Sequence, residues 1–159
     1  MQCDLNPFLR ATDNYHLCVL IIAFALALSA KNRNWVILTG ITTFFYYIGF
    51  STACDVRLFD TNGVWRHVIW VLWNVLYMAV IYTAWTKKLI YQYQAGGAIF
   101  LSLCGDLLQV FRFIDYHYFE LVHSTNIYQT MAPALNNLLV LVCLYPLITY
   151  IKKGASQWK

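Results

Sequence analysis

The chain reads as an all-α integral membrane protein, a single bundle of about five transmembrane helices with its N-terminus outside and its C-terminus cytoplasmic. Three observations lead there. Of 159 residues, 60% are hydrophobic, 18% aromatic and only 11% charged, with a mean hydropathy of +0.54; soluble domains run near ~45–50% apolar and ~25% charged. A soluble fold of this size would leave large apolar patches in water. The apolar residues also fall into runs separated by polar connections, without the period-two alternation of a barrel strand. Helices are then the form that satisfies the backbone in lipid. Finally, the charges change character from one connection to the next.

The first span covers about Tyr15–Ala30, "YHLCVLIIAFALALSA", short for a crossing that takes roughly 17–25 residues. The second covers about Trp35–Ala53, the third His67–Trp85, the fourth Gln92–Ile114 and the fifth Ala132–Ile151. Between the second and third, "DVRLFDTNGVWRH" mixes apolar and charged residues, as expected of a short interfacial helix followed by an Asn62-Gly63 turn. Residues 115–131 either extend the fourth helix or lie along the membrane surface. Trp35, Trp65, Trp70 and Trp85 fall near span ends, where an aromatic belt places them. Internal repeats and long linkers are absent, so residues 1–159 form one domain.

Lys31 and Arg33, then Lys87 and Lys88, then Lys152, Lys153 and Lys159 occupy connections that hold no acid. Six of the seven acids (Asp4, Asp13, Asp55, Asp60, Asp115 and Glu120) lie on the opposite side, beside Arg10, Arg57, Arg66 and Arg112. This bias sets the orientation by the positive-inside rule. The net charge of +4 therefore reports topology. It does not mark a nucleic-acid site, since no basic stripe with interleaved aromatics exists. The N-terminus has no basic n-region or A-x-A site of a signal peptide, and no lipidation box is present.

Asp106 is the residue that asks for a function, because ionisable groups in hydrocarbon are costly. Ser102, Asp106 and Gln109 share one helix face, small and polar enough to pack on other helices. At about 1.5 Å per residue, Asp106 and Asn74 both lie roughly 10 Å inside the outer ends of their spans. Tyr46 and Tyr47 reach a similar depth, and Asn136 and Asn137 enter somewhat shallower. A polar cluster facing the bundle interior follows. It is either a cavity open to the outside or a packing motif in which Asp106 bonds to Asn74 or a tyrosine hydroxyl.

Other candidates are weaker. His117, Glu120 and His123 stand at i, i+3, i+6, but carboxylate–histidine metal sites in bundles need a matching pair from a second helix. No metal and no cofactor are expected. The five cysteines contain no C-x-x-C. Cys3 and Cys54 share the outer side and form the candidate disulfide, with Cys18–Cys54 as the competing pair. Pro146 removes a helical hydrogen bond and kinks the fifth span. Ala95, Gly96, Gly97 and Ala98 form a small patch suited to close helix contact.

The functional expectation is a non-enzymatic membrane protein that acts by partner binding or self-association: an accessory subunit, a sensor, or an immunity- or exclusion-type protein. Its partners are membrane lipid and a protein partner or a second copy in a homo-oligomer, with no nucleic acid, and its place is a bacterial inner (plasma) membrane. One alternative is an oligomeric ion or proton channel, or small transporter, using Asp106. Another is a small membrane enzyme with Asp106 as acid or base in an outward-facing cavity.

Overall fold

Five α-helices and one π-helical turn account for most of the described chain. A computed structural model describes residues 15–60, 63–119 and 122–153, with backbone alone at 122–125 and 150–153. The helices are α1 (Tyr15–Ser29), α2 (Arg33–Phe59), α3 (Trp65–Thr86), α4 (Gln92–Ile114) and α5 (Val122–Lys153). The π turn, Asp115–Phe119, continues α4.

The basic connections that carry the charge bias also stop two helices. Lys31 (φ 52°) and Lys88 (φ 56°) adopt the left-handed conformation. After α1, Asn32 N–H donates to the Ala27 carbonyl at 3.3 Å and Lys31 N–H to Leu28 at 3.0 Å. After α3, Leu89 N–H donates to Ala84 at 2.9 Å and Lys88 N–H to Trp85 at 2.8 Å. Both ends are Schellman caps, here built on lysine, whose charge complements the negative helix terminus. Asn32 then caps α2, its side-chain oxygen accepting from Trp35 N–H at 3.1 Å.

The α2–α3 connection differs from the sequence expectation. Residues 55–59 form no separate interfacial helix; they continue α2 unbroken to Phe59, where the sequence reading ended the span at Ala53. Val56, Leu58 and Phe59 have good enough helix propensity to prolong an existing helix, which needs no new nucleus. The chain turns through Gly63, whose φ of +73° favours glycine; Asn62 lies outside the described residues. Asp60 organises the turn. Its carboxylate accepts from Trp65 N–H at 3.0 Å and Arg66 N–H at 2.9 Å, and pairs with the Arg66 guanidinium at 3.2 Å. Burial of this carboxylate opposes its charge, but these donors outweigh burial and hold its pKa below the usual carboxylate range.

Helix α5 begins ten residues before the expected start at 132, at Val122. Together with the π turn it converts most of the 115–131 segment into helix.

Helices run alternately up and down. Consecutive helices pack side by side and α5 closes the ring against α1, while α2 also reaches α5 across the bundle. One end carries Lys31, Lys87 and Lys88 (the lysine end); the other carries Asp60, Gly63 and Asp115 (the Asp60 end). Among the described residues, four segments are long and apolar enough to cross a membrane: Arg33–Phe59, Trp65–Thr86, Gln92–Phe119 and Asn126–Thr149. Tyr15–Ser29 is apolar but only 15 residues long, about 22 Å. Ile22, Leu72, Phe100, Leu107 and Leu141 point outward and are more than half exposed. An apolar jacket of this kind belongs against lipid.

The lysine half is densely packed. Leu20, Leu38, Ile81, Ala98 and Cys143 are fully buried. The Ala95–Ala98 patch makes its close contact inside the bundle: Ala95 and Ala98 are buried, and a Cβ on Gly97 would lie 3.2 Å from Val142 of α5. Trp35 is not the interface anchor its position suggests. It is 1% exposed, and its indole N–H donates to the Cys143 carbonyl at 2.7 Å. The reason lies in Pro146, which cannot donate to the Val142 carbonyl four residues earlier and loosens the adjacent bond. Gln94 Nε2 from α4 fills the Val142 position at 3.3 Å, and Trp35 from α2 takes Cys143. The carbonyls before Pro146 are thus satisfied from two neighbouring helices.

Candidate functional site

The polar residues of the Asp60 half do not form one cluster. They form cross-helix pairs around an open space. Asn74 of α3 donates from Nδ2 to Asp106 Oδ1 of α4 at 2.8 Å, and Gly105 gives room for the amide, a Cβ there lying 3.7 Å from it. Tyr46 of α2 donates to Asn136 Oδ1 of α5 at 2.9 Å. Nearer the Asp60 end, Gln109 Oε1 lies 2.9 Å from His67 Nδ1, while Gln109 Nε2 donates to the Tyr128 hydroxyl at 2.6 Å. Arg112 sits over the Tyr128 ring, 4.2 Å from its centroid.

These pairs flank a cavity of about 500 Å³ between α2, α3, α4 and α5. Ligand pockets commonly measure ~300–1,000 Å³. From α2, its wall takes Phe45, Gly49, Ala53 and Arg57, four residues apart on one face. Arg57 to Phe45 spans twelve residues, about 18 Å. Trp70, Trp73, Asn74 and Tyr77 come from α3, Ser102, Gly105 and Gln109 from α4, and Tyr128, Asn136 and Leu139 from α5. Trp73 is fixed by its indole N–H, which donates to the Phe45 carbonyl at 3.2 Å. The deep end is stoppered by Tyr77, whose hydroxyl pairs with Thr42 Oγ1 at 3.0 Å, with Cys143 Sγ 3.7 Å from the same oxygen.

The sequence-derived candidates separate accordingly. Asn74, Ser102, Gln109, Tyr46 and Asn136 line the cavity. Asp106 does not: it is 6% exposed, absent from the wall and engaged by Asn74. Tyr47, one residue round the helix from Tyr46, points outward and is exposed. Asn137 faces α1, where it accepts from the Tyr15 hydroxyl at 2.8 Å. His16 also hydrogen-bonds the Asn137 side chain and the Pro133 backbone, so α1 is tied to α5 outside the cavity. Cys54 is disulfide-bonded; Cys3 lies outside the described residues, as do Glu120 and the side chain of His123. His117 packs its ring on Phe113 and Tyr116, and no metal-binding cluster occurs among the described residues.

Arg57, Trp70, Trp73 and Tyr128 also line the cavity, and the sequence reading assigns them no site role. The repeat Phe45–Gly49–Ala53–Arg57 carries the missing signal: a small-residue column leading to a charge is the pattern of a recessed wall.

No protein-family model, curated protein or solved structure matches the chain. Its class therefore rests on fold and site: an all-α bundle whose four candidate membrane-spanning helices suggest an integral membrane protein, with a cavity walled by those four helices.

Proposed function

We propose that this is a non-enzymatic, ligand-binding membrane protein of sensor type, which takes an amphipathic small molecule into the cavity of its Asp60 half and reports occupancy to a protein partner or second copy. The observation that carries this reading is the composition of the cavity wall: seven aromatic rings (Phe45, Tyr46, Phe50, Trp70, Trp73, Tyr77 and Tyr128) with Asn74, Gln109 and Asn136 among them. An apolar, aromatic wall with a few oriented polar groups is how proteins bind organic ligands. A chemical step has less support, because Asp106, the natural acid or base, is paired with Asn74 and off the wall. An ion path has less support for the same reason, and because Tyr77, Thr42 and Cys143 stopper the deep end.

The orientation proposed is five spans with the N-terminus and the Asp60 end outside a bacterial inner membrane. The lysine-rich connections support it through the positive-inside rule. The Cys54 disulfide supports it independently, since disulfides persist in oxidising compartments.

Native mass spectrometry of the protein released from gentle detergent tests the binding reading. Wild type is expected to carry a non-covalent small amphiphile that Gly49→Phe, which fills the cavity, loses. Identical spectra for the two proteins would overturn it.

A further inference from the structure

The cavity wall also speaks to the head group of its occupant; this step rests on the binding reading above. In a bilayer, the apolar part of a ligand gains little by leaving lipid for a protein cavity, because lipid tails are as apolar as leucine. Selectivity then lies with the polar wall. Among the described lining residues Arg57 is the only charged one, and none of them is a carboxylate. Of the described acids, Asp60 is engaged by Arg66, and Asp106 accepts from Asn74.

The neutral groups add donors. The Tyr128 oxygen accepts from Gln109, which leaves its own proton to donate. Asn136 Oδ1 accepts the hydrogen bond of the Tyr46 hydroxyl, which leaves its NH₂ as the group offered to the cavity. Arg57, Tyr128 and Asn136 thus present hydrogen to the space between α2 and α5. The deeper wall sets Phe45, Leu101 and Leu139 beside the Tyr46–Asn136 pair, whose hydroxyl and carboxamide oxygen are already bonded to each other.

We propose that the cavity binds a single-chain amphiphile with an anionic head of the fatty-acid class, its carboxylate at Arg57 and Tyr128 and its chain directed toward Phe45 and Leu139. The rival chemistry is a quaternary ammonium held by the aromatic rings. A cation would face the Arg57 guanidinium with no acid among the described lining residues to offset it, which disfavours that rival.

The test uses the full chain in phosphatidylcholine nanodiscs. A nitroxide-labelled stearate quenches Trp70 and Trp73, and Trp70→Phe/Trp73→Phe identifies that part of the signal. Laurate, dodecanol and dodecyltrimethylammonium are the competitors. Laurate is expected to displace the probe at least about tenfold better than the ammonium compound, in line with a charge-assisted hydrogen bond. Arg57→Gln should weaken laurate by about tenfold and leave dodecanol unchanged, and Arg57→Lys should restore part of the loss. Equal competition by all three, or a preference for the ammonium compound, overturns the anionic assignment while the binding reading stands. Specific tryptophan quenching that no competitor relieves, or none at all, overturns both.

Discussion

The same four helices build two unlike halves. In the lysine half, backbone comes close to backbone: Ala95, Gly97 and Ala98 of α4 meet α5, Thr39 and Thr42 return their hydroxyls to their own helix at 2.8 and 2.9 Å, and Trp35 and Gln94 cover the carbonyls that Pro146 releases. In the Asp60 half, large aromatics stand at facing positions, and amide side chains bridge the helices in pairs. Pairs at similar depth hold the helices apart while keeping polar groups satisfied, and the space between them stays open. Small residues close a bundle; matched long polar pairs prop it. One half is a clamp, and the other is a container.

Substitutions that should do opposite things in the two halves sharpen this contrast. The largest expected effect is at Trp35. Trp35→Ala removes a fully buried ring and uncovers the Cys143 carbonyl, and should cost about 3–5 kcal/mol. Trp70→Ala, on the cavity wall, should cost under about half of that, since it enlarges a space already present. Reversible unfolding in mixed micelles measures both; equal losses would erase the distinction.

Next comes the Asn74–Asp106 pair. Asp106→Ala leaves the Asn74 amide without its acceptor and should cost about 1–3 kcal/mol. Asp106→Asn retains an acceptor oxygen and should cost under about 1 kcal/mol, with amphiphile binding unchanged. Lost binding in a stable Asp106→Asn protein would return Asp106 to the site.

The glycines should diverge in sign. Gly97→Ala puts a methyl 3.2 Å from Val142 and should destabilise by up to about 1 kcal/mol. Gly49→Ala makes only ordinary contacts, 3.5 Å to Trp70 and 3.6 Å to Trp73, and should be neutral or stabilising by up to about 1 kcal/mol. Melting temperatures of the two variants decide it.

The smallest effect concerns pH. The folded-state pKa of Asp60 is depressed, so its contribution is fully present above the unfolded carboxylate value near ~3.9 and is lost as pH falls through the lower folded value. The melting temperature should therefore drop on acidification below about pH 4. Asp60→Asn should be less stable at neutral pH and show a shallower acid slope; an unchanged slope would assign the acid sensitivity to other groups.

Much of the bundle is legible in the sequence because hydropathy and length report directly on helices in lipid. The bodies of α3 and α4 begin and end within two residues of the expected spans. The ends of α2 and α5 are less legible: Asp55–Phe59 reads as a separate interfacial helix and Val122–Met131 as an extension of the fourth helix or a surface segment, because mixed residues do not show which nucleated helix runs through them. Within the site, depth arithmetic puts Asn74 and Asp106 at one level, and the two side chains are hydrogen-bonded at 2.8 Å. It could not orient Tyr47 or Asn137, because equal depth says nothing about which way round the helix a side chain faces. The roles of Trp35 and Gln94 depend on where the Pro146 turn of α5 meets α2 and α4, a tertiary fact without a local sequence signal.

The contrast between the halves is tested most directly by a thiol-reactivity ladder along α2, using Ala53→Cys, Gly49→Cys, Thr42→Cys and Leu38→Cys in a background with Cys18, Cys104 and Cys143 replaced by serine. A membrane-impermeant maleimide applied from the side of the Asp60 end is expected to label positions 53 and 49, which line the cavity, and to leave 42 and 38 unlabelled. Labelling at 38 as fast as at 53 would mean a path through the bundle, and protection of both 49 and 53 would mean that no cavity open at the Asp60 end exists.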